Sequence, residues 1–482
     1  MPSLKHYLVL LTCTIKFAYA QPVTWSSPVA ISGTNGYESP HIVVTNTTPV
    51  LSFGDFTNGN INLQHFVAGS FTPPIQVNPA NFPTFVSANG GFNIASQNDT
   101  VYITYIDQNA NHVYLQRSFD GGYTFSDTIN VDNSANSIPQ YPSVAINKNS
   151  NPVVAFATLD SNFLNPQYVV TRSFDFGNTF LPAVSATASL GDNPCDCCAG
   201  YVVVNENKVA VIYRGNQNDL RDMRAAISTD TANSFTATAM IDNNGWIYPS
   251  CPSSGGQGIF NGDTLISVFM NGLNNNACYL STYNVITGQP GFEKNIFAPP
   301  GAGIQEVIRI AAGGDTIGAV WDQEINGQRN ILFSFSTTGA QGLGTYIDTV
   351  SNVIPAGFHI LPDLAYKNGK FYLVFTDYVA AQLYYMEGSI NTASAIASNT
   401  NYDLKPAVYA DQSGIILTSN TAINGHYTIT AYSMDGKSID LTSQAVLTGE
   451  RKIQIQHHLS HGLYVINFSC NQSSYSLKLL IN

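Results

Sequence analysis

Ser118–Phe125 reads SFDGGYTF, Ser173–Phe180 reads SFDFGNTF and Ser228–Phe235 reads STDTANSF, with the first residues of the octets 55 positions apart both times. A motif returning at a fixed period of this size marks a repeat architecture, in which each unit buries its apolar face only against its neighbours. Within the octet, an Asp side chain can accept backbone N–H groups across a tight turn, Gly supplies the unusual dihedrals, and the closing Phe packs between sheets. Asp120, Asp175 and Asp230 are therefore read as residues that hold turns, not as catalytic acids.

A second feature recurs along the chain. Apolar strands ending in an aromatic appear as VLSF (Phe53), YITY (Tyr105), VVAF (Phe156), AVIY (Tyr213), ISVF (Phe269), GAVW (Trp321) and YLVF (Phe375), 51 to 57 residues apart. Each is followed by another strand entering a hairpin, from LQHF and VYLQRS to LYYME. That period suits a four-stranded antiparallel unit. The expected fold is all-β: a β-propeller over residues 21–400, with seven blades and six as the alternative count, followed by a small C-terminal β-sandwich over residues 401–482.

Composition agrees with many short strands. Only 10% of residues are charged and 44% are hydrophobic, too apolar for disorder. Residues 1–20, MPSLKHYLVLLTCTIKFAYA, have a basic start, an apolar run and small residues at Ala18 and Ala20, and read as a cleavable signal peptide. Thr12 before Cys13 argues against a lipidated cysteine. Without the leader the chain carries 31 acidic and 17 basic residues, a net charge of -14, and no Lys or Arg lies between Lys16 and Arg117. Such a surface lacks the basic footprint that nucleic acid requires. No later stretch is apolar for long enough to span a membrane as a helix.

The octets match the Asp box (BNR repeat), S-x-D-x-G-x-T-F/W, and the chain thereby resembles the sialidase-like propellers. It resembles in particular a subgroup with the pattern CDCC…YR…RD…GW…CP, here Cys195–Cys198, Tyr213-Arg214, Arg221-Asp222, Gly245-Trp246 and Cys251-Pro252. The tail is similar to the C-terminal sorting domain of type IX secretion: an aromatic-rich strand precedes Asp435-Gly436-Lys437, then come Gly462-Leu463-Tyr464-Val465 and a closing strand containing Lys478. Ala410-Asp411 stands where that family usually has Asn-Pro. The resemblance implies export across the outer membrane of a Gram-negative bacterium by the type IX machinery, then release or surface attachment. A generic appended β-sandwich is the alternative.

Blade geometry then restricts where a ligand can sit. In a four-stranded antiparallel blade the turns between strands 1–2 and 3–4 share one face; the 2–3 loops and the links between blades share the other. The boxes are 3–4 turns, so a site on the opposite face is built from links and 2–3 loops, where a rigid scaffold commonly carries binding residues. Those loops hold Cys195, Cys197, Cys198, Arg214, Arg221, Asp222, Arg224, Trp246, Tyr248 and Cys251. Arg214, Arg221, Asp222 and Trp246 form the candidate ligand site: guanidinium forks for a carboxylate, sulfate or sugar hydroxyls, beside an apolar platform. The alternatives are ion pairs with Asp219 or Asp222 and a core-capping role for Trp246.

Cys195, Cys197, Cys198 and Cys251 are disulfide candidates in an exported protein, with a bond to Cys251 expected; a vicinal Cys197–Cys198 bond would be strained, and a metal bound at CDCC is the alternative. Asp55, Asp107, Asp160, Asp322 and Asp377 each follow the second strand of a blade and either ring a Ca²⁺ site or cap their own turns.

Two function classes remain. One is a propeller that binds a glycan, glycoprotein or other extracellular ligand. The other is a glycoside hydrolase, which the resemblance would furnish with an arginine triad, a Tyr/Glu nucleophile pair and an Asp acid. The first triad arginine of sialidases precedes the first box, where this chain has only Arg117, adjoining the box itself. A true exo-sialidase is thereby disfavoured, and no catalytic residue is assigned.

Overall fold

The computed structural model describes residues 23–391 and 407–481, apart from 35–38, 88–89, 110–111, 133–136, 297–302, 356, 412–413, 434–436, 456–458 and 471–472. The leader and Asp435-Gly436 lie outside the described residues. Among those described, regular structure is strand with a few 3-10 turns, and no helix is long and apolar enough to cross a membrane.

Two compact units separate at Ile390. Among the described residues of Val23–Ile390 the strands pair into seven antiparallel sheets. Their first strands are His41–Val44, Phe92–Gln97, Ile138–Ile146, Tyr201–Asn205, Gln257–Asn261, Gln305–Gly313 and His359–Lys367. Each touches the first strand of the next sheet, and His359–Lys367 touches His41–Val44, so the sheets form a closed ring around these inner strands. That arrangement is a β-propeller. The last sheet is completed from the other end of the chain: Val23–Trp25 and Val29–Ile31 pair with Gln382–Ile390.

Apolar packing follows the ring. Val50 and Leu63 of the first sheet share a cluster with Ile94 and Ile103 of the second, and the series closes where Leu51 and Phe53 pack with Val374 and Leu383 of the last. Second strands such as Lys208–Arg214 are buried on both faces, not half-buried with one face to solvent as alternation along a strand would imply. Phe53, Tyr105, Phe156, Tyr213, Phe269, Trp321 and Phe375 all lie in second strands and are all buried.

The box turns hold themselves together. Asp175 accepts from the Thr179 N–H at 2.9 Å, the Thr179 hydroxyl at 2.7 Å and the Ser173 hydroxyl at 2.7 Å. Asp120 and Asp230 repeat the pattern with Thr124 and Ser234. Gly122 and Gly177 sit at φ 94 and 78, and the worn third box places Ala232 in the same region at φ 56. Each box leans on the 1–2 turn of its own sheet, through Gly121 N–H to Asp99 O, Phe176 N–H to Asn151 Oδ1 and Thr231 N–H to Asn207 O, so all three occupy one face. Arg117 reaches forward to the Phe176 carbonyl, and Arg172 to the Ala232 carbonyl, linking each box to the next.

The C-terminal unit is one five-stranded sheet: Gly414–Ser433 pairs along its length with Ser438–Ile455, near its start with Ala407–Asp411 and near its end with Gly462–Cys470. Register shifts interrupt the long pair, and Ala407–Asp411 packs against the far edge strand Ser473–Ile481. The sheet therefore folds over a single core that includes Ile415, Leu417, Ile466, Phe468 and Leu479. Two layers result, joined through their long strands.

Candidate functional site

The segments that the sequence places opposite the boxes do converge. They are the link Gly191–Gly200, the loop 215–222 and the link 241–256 around the fourth sheet. Their backbones are cross-tied by Cys195 N–H to Arg214 O, Arg221 N–H to Trp246 O and Tyr248 N–H to Asp219 O.

The four residues expected to face a ligand are tied into the loops that carry them, and Trp246 also lines the channel. Arg214 is fully buried; Nε donates to the Ser254 carbonyl at 2.7 Å, Nη1 to Arg221 O at 2.6 Å and Nη2 to Met270 O at 2.8 Å. Its guanidinium lies 5.1 Å from the ring centroid of Trp246. Trp246 is buried in turn, and a Cβ on Gly272 would come within 2.3 Å of its ring, so only glycine admits the indole there. Asp222 accepts the N–H groups of Gly245 and Trp246, both at 2.9 Å. Arg221 donates from Nε to Tyr248 O at 2.9 Å and stands 3.8 Å from Asp219. Arg224 pairs with buried Asp192. Arg214, Arg221 and Asp222 thus brace the loops mainly through backbone groups, and Trp246 packs beneath the Arg214 guanidinium. The physical reason is packing: at the end of a doubly buried strand a guanidinium gains more from orphaned loop carbonyls than from solvent. The residues this frame exposes are Ile247 and Tyr248, with Tyr248 stacked on Trp246 at 5.5 Å.

The cysteines gather beside it. Cys197 is bonded to Cys251, while Cys195 and Cys198 are buried free thiols. Cys198, one repeat from Cys251, points into the core and leaves Cys197 as the partner. The sulfurs of Cys195, Cys197 and Cys198 lie within 4.8 Å of one another, and this is the one group with metal-ligand proximity among the described residues. The carboxylates at the ends of the second strands form no group of three within metal-ligand distance among the described residues. Asp55, Asp107, Asp160 and Asp377 accept N–H groups from their own loops, as the turn-capping alternative expects, and Asp322 is buried against Arg329 at 3.3 Å.

The inner strands enclose a cavity of about 1270 Å³ whose wall includes His41, Tyr141, Arg309, Asp363, Trp246 and Tyr248. Asp363 Oδ2 accepts the Ile42 N–H at 3.0 Å and lies 3.4 Å from His41 Nδ1; Arg309 Nε is 4.0 Å from Asp363 Oδ1. Burial pushes the Tyr141 hydroxyl up to about 12, so it remains a protonated donor. Three inner strands slip register here, at Gln140/Ser143, Glu306/Arg309 and Ile360/Asp363. Tyr141, Val307 and Leu361 within those bulges have φ of 51, 28 and 53, conformations that L residues avoid and that tend to occur where side chains are re-aimed for function. Sequence reasoning passed over His41, Arg309 and Asp363, because they belong to the first, sixth and seventh sheets and meet only through ring closure. The available signal was their shared place on first strands.

No protein-family model matches the chain, and no curated protein matches it. Solved structures similar to it include a protein of unknown function from Dyadobacter fermentans, at 13% identity over 65% of this chain and 98% of that one, TM-score 0.43. Another is the α-L-arabinanase of Penicillium chrysogenum in complex with arabinobiose, at 14% identity over 62% and 94%, TM-score 0.42. A third is the sialidase of Trypanosoma rangeli in complex with the inhibitor DANA, at 8% identity over 92% and 84%, TM-score 0.42.

Proposed function

We propose that this chain is an exported propeller that binds a glycan in the mouth of its central channel, on the face away from the boxes. The observation that carries the reading is the set of three bulged inner strands around one polar cavity. Arg309 and Asp363, with His41 and Tyr141, supply donors and acceptors for hydroxyls or an acidic group, and Tyr248 supplies an aromatic wall held by the Arg214–Trp246 frame. The leader and the C-terminal unit are assigned to export by type IX secretion, with a protein lacking residues 401–482 expected to stay inside the cell.

A glycan array probed with the mature chain tests the reading. A hit should be weakened at least about tenfold, or ~1.4 kcal/mol, by Arg309→Ala or Tyr248→Ala. Asp175→Asn, on the other face, should leave affinity unchanged. Binding to no glycan, or equal loss in all three variants, would reject the site.

A hydrolytic reading has one specific observation behind it. Glu306 lines the channel, Arg329 pairs with both Glu306 and Asp322, and burial pushes the Asp322 carboxyl up to about 7, the range of a general acid. Asp322 is almost fully buried in the second strand of its sheet, and its burial supports the binding reading over the hydrolytic one. Release of chromophore from aryl glycosides, lost in Glu306→Gln, would reverse that order.

A further inference from the structure

The four-cysteine cluster holds an arrangement that ligand binding does not use. Cys195 Sγ lies 2.8 Å from Cys198 Sγ and 3.3 Å from Cys197 Sγ, and Cys197 Sγ lies 4.0 Å from Cys198 Sγ. The two free thiols are buried, whereas Cys251, at the outer end of the existing disulfide, is exposed. The backbone fixes this geometry: the Cys195 N–H donates to Arg214 O at 2.8 Å, and Tyr168 Oη donates to Cys198 O at 2.9 Å. The close pair is spaced Cys-x-x-Cys. The positive charge of Arg221 favours a thiolate at Cys195, and that of Arg214 favours one at Cys198.

We infer that Cys195 and Cys198 are the site of a second disulfide, which is formed from inside by exchange with the Cys197–Cys251 bond, whose outer cysteine is exposed. The Cys195 thiolate attacks Cys197 Sγ; the 195–197 bond forms, the 197–251 bond breaks, and Cys251 leaves as a thiolate that takes up a proton from water. The Cys198 thiolate, its proton released to solvent, then attacks Cys195 Sγ; the 195–198 bond forms and the 195–197 bond breaks. Cys197 departs as a thiolate and is protonated. Two thiols have been lost and two gained, with no net oxidation. An external low-molecular-weight disulfide then oxidises Cys197 and Cys251 and is itself reduced to two thiols, leaving two disulfides in the protein. The hydrogen bond with Cys198 lowers the pKa of Cys195, which suits it to be the first attacking group. Burial pushes Cys198 the other way, which suits it to act second.

The experiment incubates the mature protein with glutathione disulfide, blocks free thiols with an alkylating reagent, and maps peptides without reduction. Both bonds, 195–198 and 197–251, should be found in the wild type. Cys197→Ser removes the relay sulfur, and its Cys195–Cys198 bond should form at least tenfold more slowly. Cys195 and Cys198 recovered as thiols in the wild type would overturn the inference, as would equal rates in the variant or four thiols holding a metal ion. Should Cys197→Ser fail to fold, the wild type fully reduced and then reoxidised decides the matter. The 197–251 bond must appear before 195–198, and the reverse order would overturn the route.

Discussion

Arg172 Nη1 donates to the backbone carbonyl of Ala232 at 2.8 Å, so that the arginine before the second box grips the turn of the third. Arg117 does the same one repeat earlier, donating to the Phe176 carbonyl at 2.9 Å. Arg172 is buried and Arg117 only partly so. Arg172→Ala should therefore lower unfolding free energy by about 2–3 kcal/mol, the upper range for charged hydrogen bonds, and Arg117→Ala by about 1 kcal/mol. Chemical denaturation checks the order, and a larger loss for Arg117 would contradict it.

Arg214 should prove a residue of the fold before it is one of the site. Its removal orphans the carbonyls of Ser254, Arg221 and Met270, each at a cost of about 1–3 kcal/mol when buried. Arg214→Lys should rescue little, because an ammonium cannot span three divergent acceptors that a planar fork reaches. Thermal unfolding of both variants is the measurement, and a stable Arg214→Ala protein would return this residue to the ligand.

Acid should weaken the box turns. Bonds from the Thr179 N–H and from the Ser173 and Thr179 hydroxyls hold Asp175 down to about 2. A carboxylate whose folded pKa is depressed stabilises above its unfolded value, near 3.9, and loses that contribution as pH falls through the folded value. Urea midpoints should fall between pH 4 and 2 in the wild type, and less steeply in Asp175→Asn.

Asp322 should act with the opposite sign. Burial, only partly offset by Arg329, raises its carboxyl to about 7. Its folded form therefore binds a proton more tightly than its unfolded form, so its favourable contribution is complete below about pH 4 and declines as pH rises toward 7. Asp322→Asn should flatten the stability profile over that window. A profile that steepens would mean that the ion pair with Arg329 governs this carboxylate.

Export by the leader and tail is a proposal from motif order, whereas the repeats of the propeller are carried by local sequence. The octets at 118, 173 and 228 and the apolar strands ending at Phe53 through Phe375 are local patterns, and local hydrogen bonding and a recurring apolar run closed by an aromatic are enough to specify all-β repeats and turn-holding aspartates. Closure was beyond them: nothing near Val23 shows that it completes the sheet of Ile390, or that His41 will face Asp363 from 322 positions away. The same limit decided Arg214. Scarcity of arginine and a place on the right face were legible in the chain, but the direction of a guanidinium depends on which carbonyls the neighbouring loops leave unpaired, and those of Ser254 and Met270 arrive only when the fourth and fifth sheets pack together. Sequence alone determined the repeat, the class of fold and the crowding of cysteines. Tertiary structure decided which polar groups are buried to satisfy backbone and which face the channel, because desolvation is a property of the assembled ring and not of any segment within it.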